Sequence, residues 1–413
     1  MHWFQYEDGR LLCEDVPLQN AAEEYGTPLF VYSQATIERH IHTIDGAFND
    51  VDHLTCYSVK ANANRALLKI LTDYGLGADI VSGGELFRAL RAGIPANRIV
   101  YSGVGKTDQE IQFALESGIL ALNVESESEL RAINRIAGNM NKKAPVSFRI
   151  NPDVDPKTHP YTSTGLKKNK FGIPHSEALK VYKEASAMSN ITIVGIDAHI
   201  GSQLIDVSPY REATELLVKL VNEICELGID LKFIDIGGGL GIKYGDEEPP
   251  DPSQWAHMII PALKKTGCKL IIEPGRSLIG NAGILLTRVL YIKTNGIKTF
   301  VIVDAAMNDL FRPSLYGSYH DILPVTDTNE EKQIVDVVGP ICESGDFIAK
   351  DRIISMPKEG DLLAIMSAGA YGMSMSSNYN SRPRAAEVLI NRDTMKMVGR
   401  RETYDDLIGR ETD

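Results

Sequence analysis

From about residue 53 to residue 275, short apolar runs alternate with amphipathic stretches. The runs 54–59, 78–81, 99–102, 121–124, 146–150, 193–199, 233–236 and 269–272 have strand length and carry many β-branched residues. Between them, 84–92, 107–116, 127–136, 176–187 and 210–227 repeat apolar residues three or four apart, the spacing of one helix face. Eight βα repeats of this kind predict a closed parallel (β/α)8 barrel in preference to an open doubly wound sheet. The run 29–32 would make a ninth strand, so it is expected outside the barrel's eight.

After about residue 280 the pattern changes. Runs 284–292, 299–303, 333–338, 361–366 and 386–390 read as strands with few helices between them, and the connections are rich in Gly, Pro and Asn. That predicts an antiparallel β domain, with 10–13 and 29–32 as candidate extra strands. The expected organisation is α/β: a TIM-like barrel over 29–279 and a β domain over 280–413, with 1–28 packing on the latter. No internal repeat beyond the βα period is evident.

Charge narrows the class of partner. The 413 residues carry 43 Lys and Arg against 55 Asp and Glu, a net charge of −12, which argues against nucleic acid. Met1-His2-Trp3-Phe4-Gln5 has neither the basic nor the apolar part of a signal peptide. The uncharged run 364–381 is too rich in Ser, Asn and Gly to span a bilayer. Cys13, Cys56, Cys225, Cys268 and Cys342 are scattered, odd in number and without CxxC spacing. Free thiols in a reducing, cytoplasmic compartment are expected, with no metal site.

Four of the expected barrel strands end in polar residues. Lys60 closes His53-Leu54-Thr55-Cys56-Tyr57-Ser58-Val59-Lys60, His199 ends Ile196-Asp197-Ala198-His199, Asp235 precedes Gly237-Gly238-Gly239-Leu240-Gly241, and Glu273 opens Glu273-Pro274-Gly275-Arg276. Each alone is compatible with a satisfied structural group. Polar residues at the C-terminal ends of several strands read as an active site. A lysine there, if desolvated, becomes a nucleophile toward an aldehyde. The glycine run does not complete GxGxxG, since position 242 is Ile, but its backbone N–H groups can cradle a single phosphate. Gly103-Val104-Gly105-Lys106-Thr107 is not a Walker loop, because position 100 is Val. A lysine, a phosphate cradle, a carboxylate and an apposed imidazole together suggest pyridoxal phosphate.

Tyr57-Ser58-Val59-Lys60-Ala61-Asn62, His199-Ile200-Gly201-Ser202-Gln203, the glycine run, Glu273-Pro274-Gly275-Arg276 and Gly339-Pro340-Ile341-Cys342-Glu343-Ser344-Gly345-Asp346 stand in this order. The chain thereby resembles the barrel-type (fold-type III) pyridoxal-phosphate decarboxylases over nearly its whole length. Cys342-Glu343-Ser344-Gly345-Asp346 and Met375-Ser376-Ser377-Asn378-Tyr379-Asn380-Ser381-Arg382-Pro383 point to their diaminopimelate branch. The resemblance implies that Lys60 carries pyridoxal 5'-phosphate, Glu273 pairs with the ring nitrogen and His199 stacks on the ring. It implies that Ser202, Gly239, Gly275, Arg276 and Tyr371 surround the phosphate. Arg276, Arg312, Tyr316, Glu343 and Tyr371 would contact the substrate, Arg312 by bidentate pairing with a second carboxylate. Cys342 would be the acid that reprotonates the carbanion, with Cys342 and Glu343 supplied by the other subunit of a homodimer.

The implied reaction is decarboxylation of meso-2,6-diaminopimelate to L-lysine and CO2, the last step of lysine biosynthesis. A decarboxylase of ornithine, arginine or a carboxylated polyamine precursor is the alternative on the same fold. A catalytically dead regulator is disfavoured by the presence of Lys60 and Cys342, and a NAD-binding enzyme by the broken glycine fingerprint.

Overall fold

The computed structural model describes residues 2–155, 164–167, 169–327 and 330–412. They form two compact units. One comprises Ile41–Ile242 and Glu248–Ser277; the other takes the chain up to His40, Lys243–Glu247 and the chain from Leu278 onward.

The first unit is the barrel. Its strands are β1 (His53–Ser58), β2 (Gly77–Ile80), β3 (Ile99–Tyr101), β4 (Ala121–Val124), β5 (Ala144–Asn151), β6 (Ile191–Asp197), β7 (Phe233–Asp235) and β8 (Lys269–Ile272). Each pairs in parallel with the next, and β8 returns to β1 with Leu270 opposite His53 and Ile272 opposite Thr55. All eight expected strands are present. Helices between them start and stop on short local signals. Ser82 Oγ accepts from the Glu85 N–H to open Gly83–Ala92, and Gly93 closes it in the left-handed conformation. Thr107 and Glu110 form a reciprocal capping box for Asp108–Ser117.

Leu54, Cys56, Val100, Ala121, Val194, Phe233 and Ile271 form one buried apolar cluster. Two residues further along their strands, Cys56 is followed by Ser58, Phe233 by Asp235 and Ile271 by Glu273, on the same faces. The strand rows therefore turn from apolar to polar toward their C-terminal ends, where a parallel barrel keeps its chemistry.

The second unit is built on a sheet around the long strand Gly283–Thr294. It pairs antiparallel with Leu29–Ser33, Thr299–Val303 and Leu362–Ile365. The sheet is mixed, whereas the pattern predicts an antiparallel one. Thr299–Val303 runs parallel to Lys332–Val338, and Leu29–Ser33 runs parallel to Ala386–Asn391. Both parallel pairs join segments distant in sequence, which no local turn signal announces. Leu29–Ser33 falls inside the range 29–279 expected for the barrel, yet its partners are here. Phe4, Leu11, Cys13 and Leu18 pack with Leu29, Val31, Ile284 and Val388 in one buried cluster. Among the described residues, no helix is long and apolar enough to cross a membrane.

Candidate active site

Lys60 lies in the single 3-10 turn Val59–Ala61 that follows β1. Its Nζ donates to Asp79 Oδ2 at 2.8 Å, and Ser58 Oγ lies 2.8 Å from the same oxygen and 3.0 Å from the Glu273 carbonyl. The Asp79 side chain is fully buried, whereas that of Lys60 is 36% exposed. The desolvated amine expected from the sequence is thus a half-open ammonium held by an ion pair. Asp79 itself is absent from the sequence expectation. Its signal is a carboxylate inside the apolar run Gly77-Ala78-Asp79-Ile80, as with Asp197 after Ile196.

The glycine run divides into two kinds of position. The Gly237 N–H donates to Asp235 Oδ1 at 2.9 Å, and the Gly238 N–H donates to His199 Nδ1 at 3.2 Å. Among the described residues, no hydrogen bond uses the N–H of Gly239 or of Gly275. These two are the glycines expected at a phosphate. Gly239 has φ +101°, and a Cβ there would stand 2.1 Å from the Gly201 carbonyl oxygen, so no other residue fits. Arg276 is buried and donates to Ser202 Oγ at 3.0 Å, which brings two more expected phosphate contacts together.

Three buried carboxylates gather nearby. One oxygen each of Asp197, Asp235 and Glu273 lie within 4.8 Å of one another. Burial, then Asp235, Asp79 and Asp197, push the Glu273 carboxyl well above its usual range, against a smaller pull from Lys60. Burial raises Asp235 to about 7 despite the Gly237 N–H. Neither Glu273 Oε1 nor Asp235 Oδ2 has a partner among the described residues while both are bare. Asp235 thus retains a proton below about pH 7, because carboxylates gathered this closely cannot all ionise cheaply. Partial burial, then Arg149 and Lys60, hold the His199 imidazole well below its usual range. The ring is neutral, with Nδ1 accepting and the proton on Nε2.

This proton has a measurable consequence. The folded chain holds it on Asp235 up to about pH 7, whereas the unfolded chain releases it near pH 4. The unfolded state then binds fewer protons, so this site costs stability as pH rises through that window. Asp235→Asn keeps the Oδ1 acceptor for Gly237 without the charge. In the protein freed of cofactor, the unfolding midpoint of the variant should gain on the parent between pH 5 and pH 8. A difference that does not change with pH would show that Asp235 is ionised throughout.

The other expected residues lie in the second unit. Arg312 opens the short helix Arg312–Tyr316 and is buried. Tyr371 is partly buried with φ +59°, a costly backbone for a tyrosine and typical of functional loops. Cys342 and Glu343 are both exposed. Their loop is pinned from beneath, where Asp346 accepts from Met307 N and Ile341 N at 2.7 Å each. It is pinned from the side as well, since Asn380 Oδ1 accepts from Cys342 N at 2.9 Å and Tyr379 donates to Glu343 at 2.8 Å. The motifs around Cys342 and Asn380, far apart in sequence, therefore meet.

The chain is similar to known proteins over nearly its whole length. Residues 34–280 match the family described as "Pyridoxal-dependent decarboxylase, pyridoxal binding domain". Diaminopimelate decarboxylase of Aquifex aeolicus is 52% identical over 407 residues, covering 98% of this chain and 96% of that one. The enzyme of the same name from Haemophilus influenzae is 52% identical over 409 residues, with 98% of each chain covered. The crystal structure of diaminopimelate decarboxylase from Helicobacter pylori complexed with L-lysine superposes with a TM-score of 0.92 at 44% identity, covering 95% of this chain and 98% of that one. The chain belongs to the pyridoxal-dependent decarboxylase family, on its diaminopimelate decarboxylase branch.

Proposed function

We propose that the protein decarboxylates meso-diaminopimelate to L-lysine and CO2, with pyridoxal 5'-phosphate carried on Lys60. The observation that carries this reading is the likeness to enzymes of that name at about half identity over essentially the full chain.

The residues present fit the cofactor. Lys60 stands at a strand end as its anchor, oriented by Asp79. The buried Glu273 Oε1 has no partner among the described residues and suits a ring nitrogen. The uncommitted N–H groups of Gly239 and Gly275, with Ser202, Arg276 and Tyr371, suit a phosphate, and the neutral His199 suits the ring face. When bound, the cofactor supplies an electron sink for the carbanion left as CO2 departs.

The chain's own groups do the rest. Arg312, Tyr316, Arg276, Tyr371 and Glu343 hold the substrate's far amino-carboxylate end. The Cys342 thiol delivers the proton that takes the place of the lost carboxylate at the α-carbon, and regains one from solvent. Cys342 and Glu343 serve the site of the other subunit in a homodimer. Their exposure on the isolated chain is what such reach requires. Five unpaired thiols fit a reducing cytoplasm.

Released CO2, measured across diaminopimelate, ornithine, arginine and lysine, tests the substrate. Diaminopimelate should be strongly preferred, and a preference for ornithine or arginine would replace this reading. Arg312→Ala should lower kcat/KM for diaminopimelate by about 2–5 kcal/mol of transition-state binding while leaving the visible absorbance of the bound cofactor intact. Unchanged kinetics would remove Arg312 from the substrate site.

A further inference from the structure

His320 is fully buried, eight residues after Arg312. Its Nδ1 lies 2.9 Å from the Met366 carbonyl oxygen, and its Nε2 lies 3.0 Å from Arg312 Nη1. A carbonyl oxygen only accepts, so Nδ1 carries the proton. A guanidinium only donates, so Nε2 is the acceptor. The two contacts together admit a single state of the ring, the neutral Nδ1–H tautomer. Tyr244 completes the arrangement. Its ring centroid is 4.7 Å from Arg312 Cζ and 5.1 Å from the His320 ring, tilted 76° to the latter. A side chain from elsewhere in the same unit fixes the base of the histidine, since Arg352 Nη1 donates to the His320 backbone carbonyl at 2.7 Å.

The chemistry of this contact matters for an arginine meant to receive a carboxylate. A carboxylate on Nη1 would orient the guanidinium, but it would also cancel the charge the ligand needs and compete for the same N–H groups. A neutral ring nitrogen takes one N–H and leaves the positive charge in place. An aromatic face against the guanidinium plane restricts its rotation and likewise leaves the charge uncancelled.

We propose that His320, backed by Tyr244, is a positioning residue for substrate recognition. It sets the Arg312 fork for the substrate's far carboxylate without neutralising it. This rests on the reading of Arg312 given above.

Glutamine and leucine at position 320 separate positioning from packing. In His320→Gln an amide oxygen can take the place of Nε2; in His320→Leu no acceptor remains. KM for diaminopimelate should rise roughly tenfold in the leucine variant, with kcat changing much less, as expected for loss of ground-state orientation. Inhibition by L-lysine, which keeps the far amino-carboxylate, should weaken by the same factor. Inhibition by 1,5-diaminopentane, which lacks it, should not move. The glutamine variant should recover most of the loss. If leucine destabilises the fold, Tyr244→Leu gives the same test through the other partner and should show the same split.

Equal losses in the glutamine and leucine variants would overturn the proposal, as would a fall in kcat at constant KM. Arg312→Ala serves as the reference. If it leaves KM and lysine inhibition unchanged, the reading of Arg312 itself falls. If it raises both while His320→Leu and Tyr244→Leu raise neither, only the positioning role falls.

Discussion

Lys60→Ala is expected to lower turnover of diaminopimelate by at least about a thousandfold and to remove the visible absorbance of the purified protein. The alanine variant also strands the fully buried Asp79 carboxylate without its cation, which costs stability on its own account. Lys60→Arg separates the two effects. It keeps a positive charge opposite Asp79 but offers no amine that can be joined to an aldehyde, so it should fold near normally and remain colourless and inactive. In the unaltered protein, borohydride should bleach the visible band and fix the cofactor to the peptide containing Lys60. Recovery of the label on another lysine would reject the assignment.

Mixing two inactive variants should restore activity. Lys60→Ala damages the proposed anchor, which lies in the barrel unit, and Cys342→Ala removes the proposed proton donor, which lies in the other unit. If each site combines Lys60 of one chain with Cys342 of the other, a mixed dimer holds one intact site and one doubly damaged site. Random exchange makes about half the dimers mixed, so activity should approach roughly a quarter of the parent's. If both residues act within one chain, no exchange of subunits restores a site. Absence of recovery, with exchange verified by mass spectrometry of tagged chains, would reject the shared site.

The barrel was legible because each of its strands is a local event. Residues 121–124 and 269–272, for instance, are bounded apolar runs whose ends coincide with the observed strands. Polar residues at the strand ends were legible for the same reason, and Lys60, His199, Asp235 and Glu273 all belong to the barrel unit. Phe347–Ser355 was not legible, because Lys350-Asp351-Arg352 interrupts its apolar pattern. Those residues are exposed or half-exposed, and the ladder to Lys332–Val338 absorbs them through a shift in register. Asp79 escaped notice because its role depends on which strand lies beside β1. His320 escaped because nothing adjacent to it in the chain marks it; its partners are Tyr244, Arg312 and Met366. Contacts set by tertiary pairing leave no period or motif to read.

The strand Leu29–Ser33 has a consequence for the order of events at the ribosome. All five of its residues are buried, and its neighbours are Gly283–Thr294 and Ala386–Asn391. At ordinary synthesis rates even the first of these, Gly283–Thr294, emerges roughly tens of seconds after it. Throughout that interval the nascent chain carries an apolar strand with no edge to join, the kind of segment that pairs with other chains when left waiting. The eight barrel strands, all between His53 and Ile272, are synthesised during the same wait. The barrel thus has its full set of strands before the other sheet has its second, and one of the earliest apolar strands to appear is among the last to find its place.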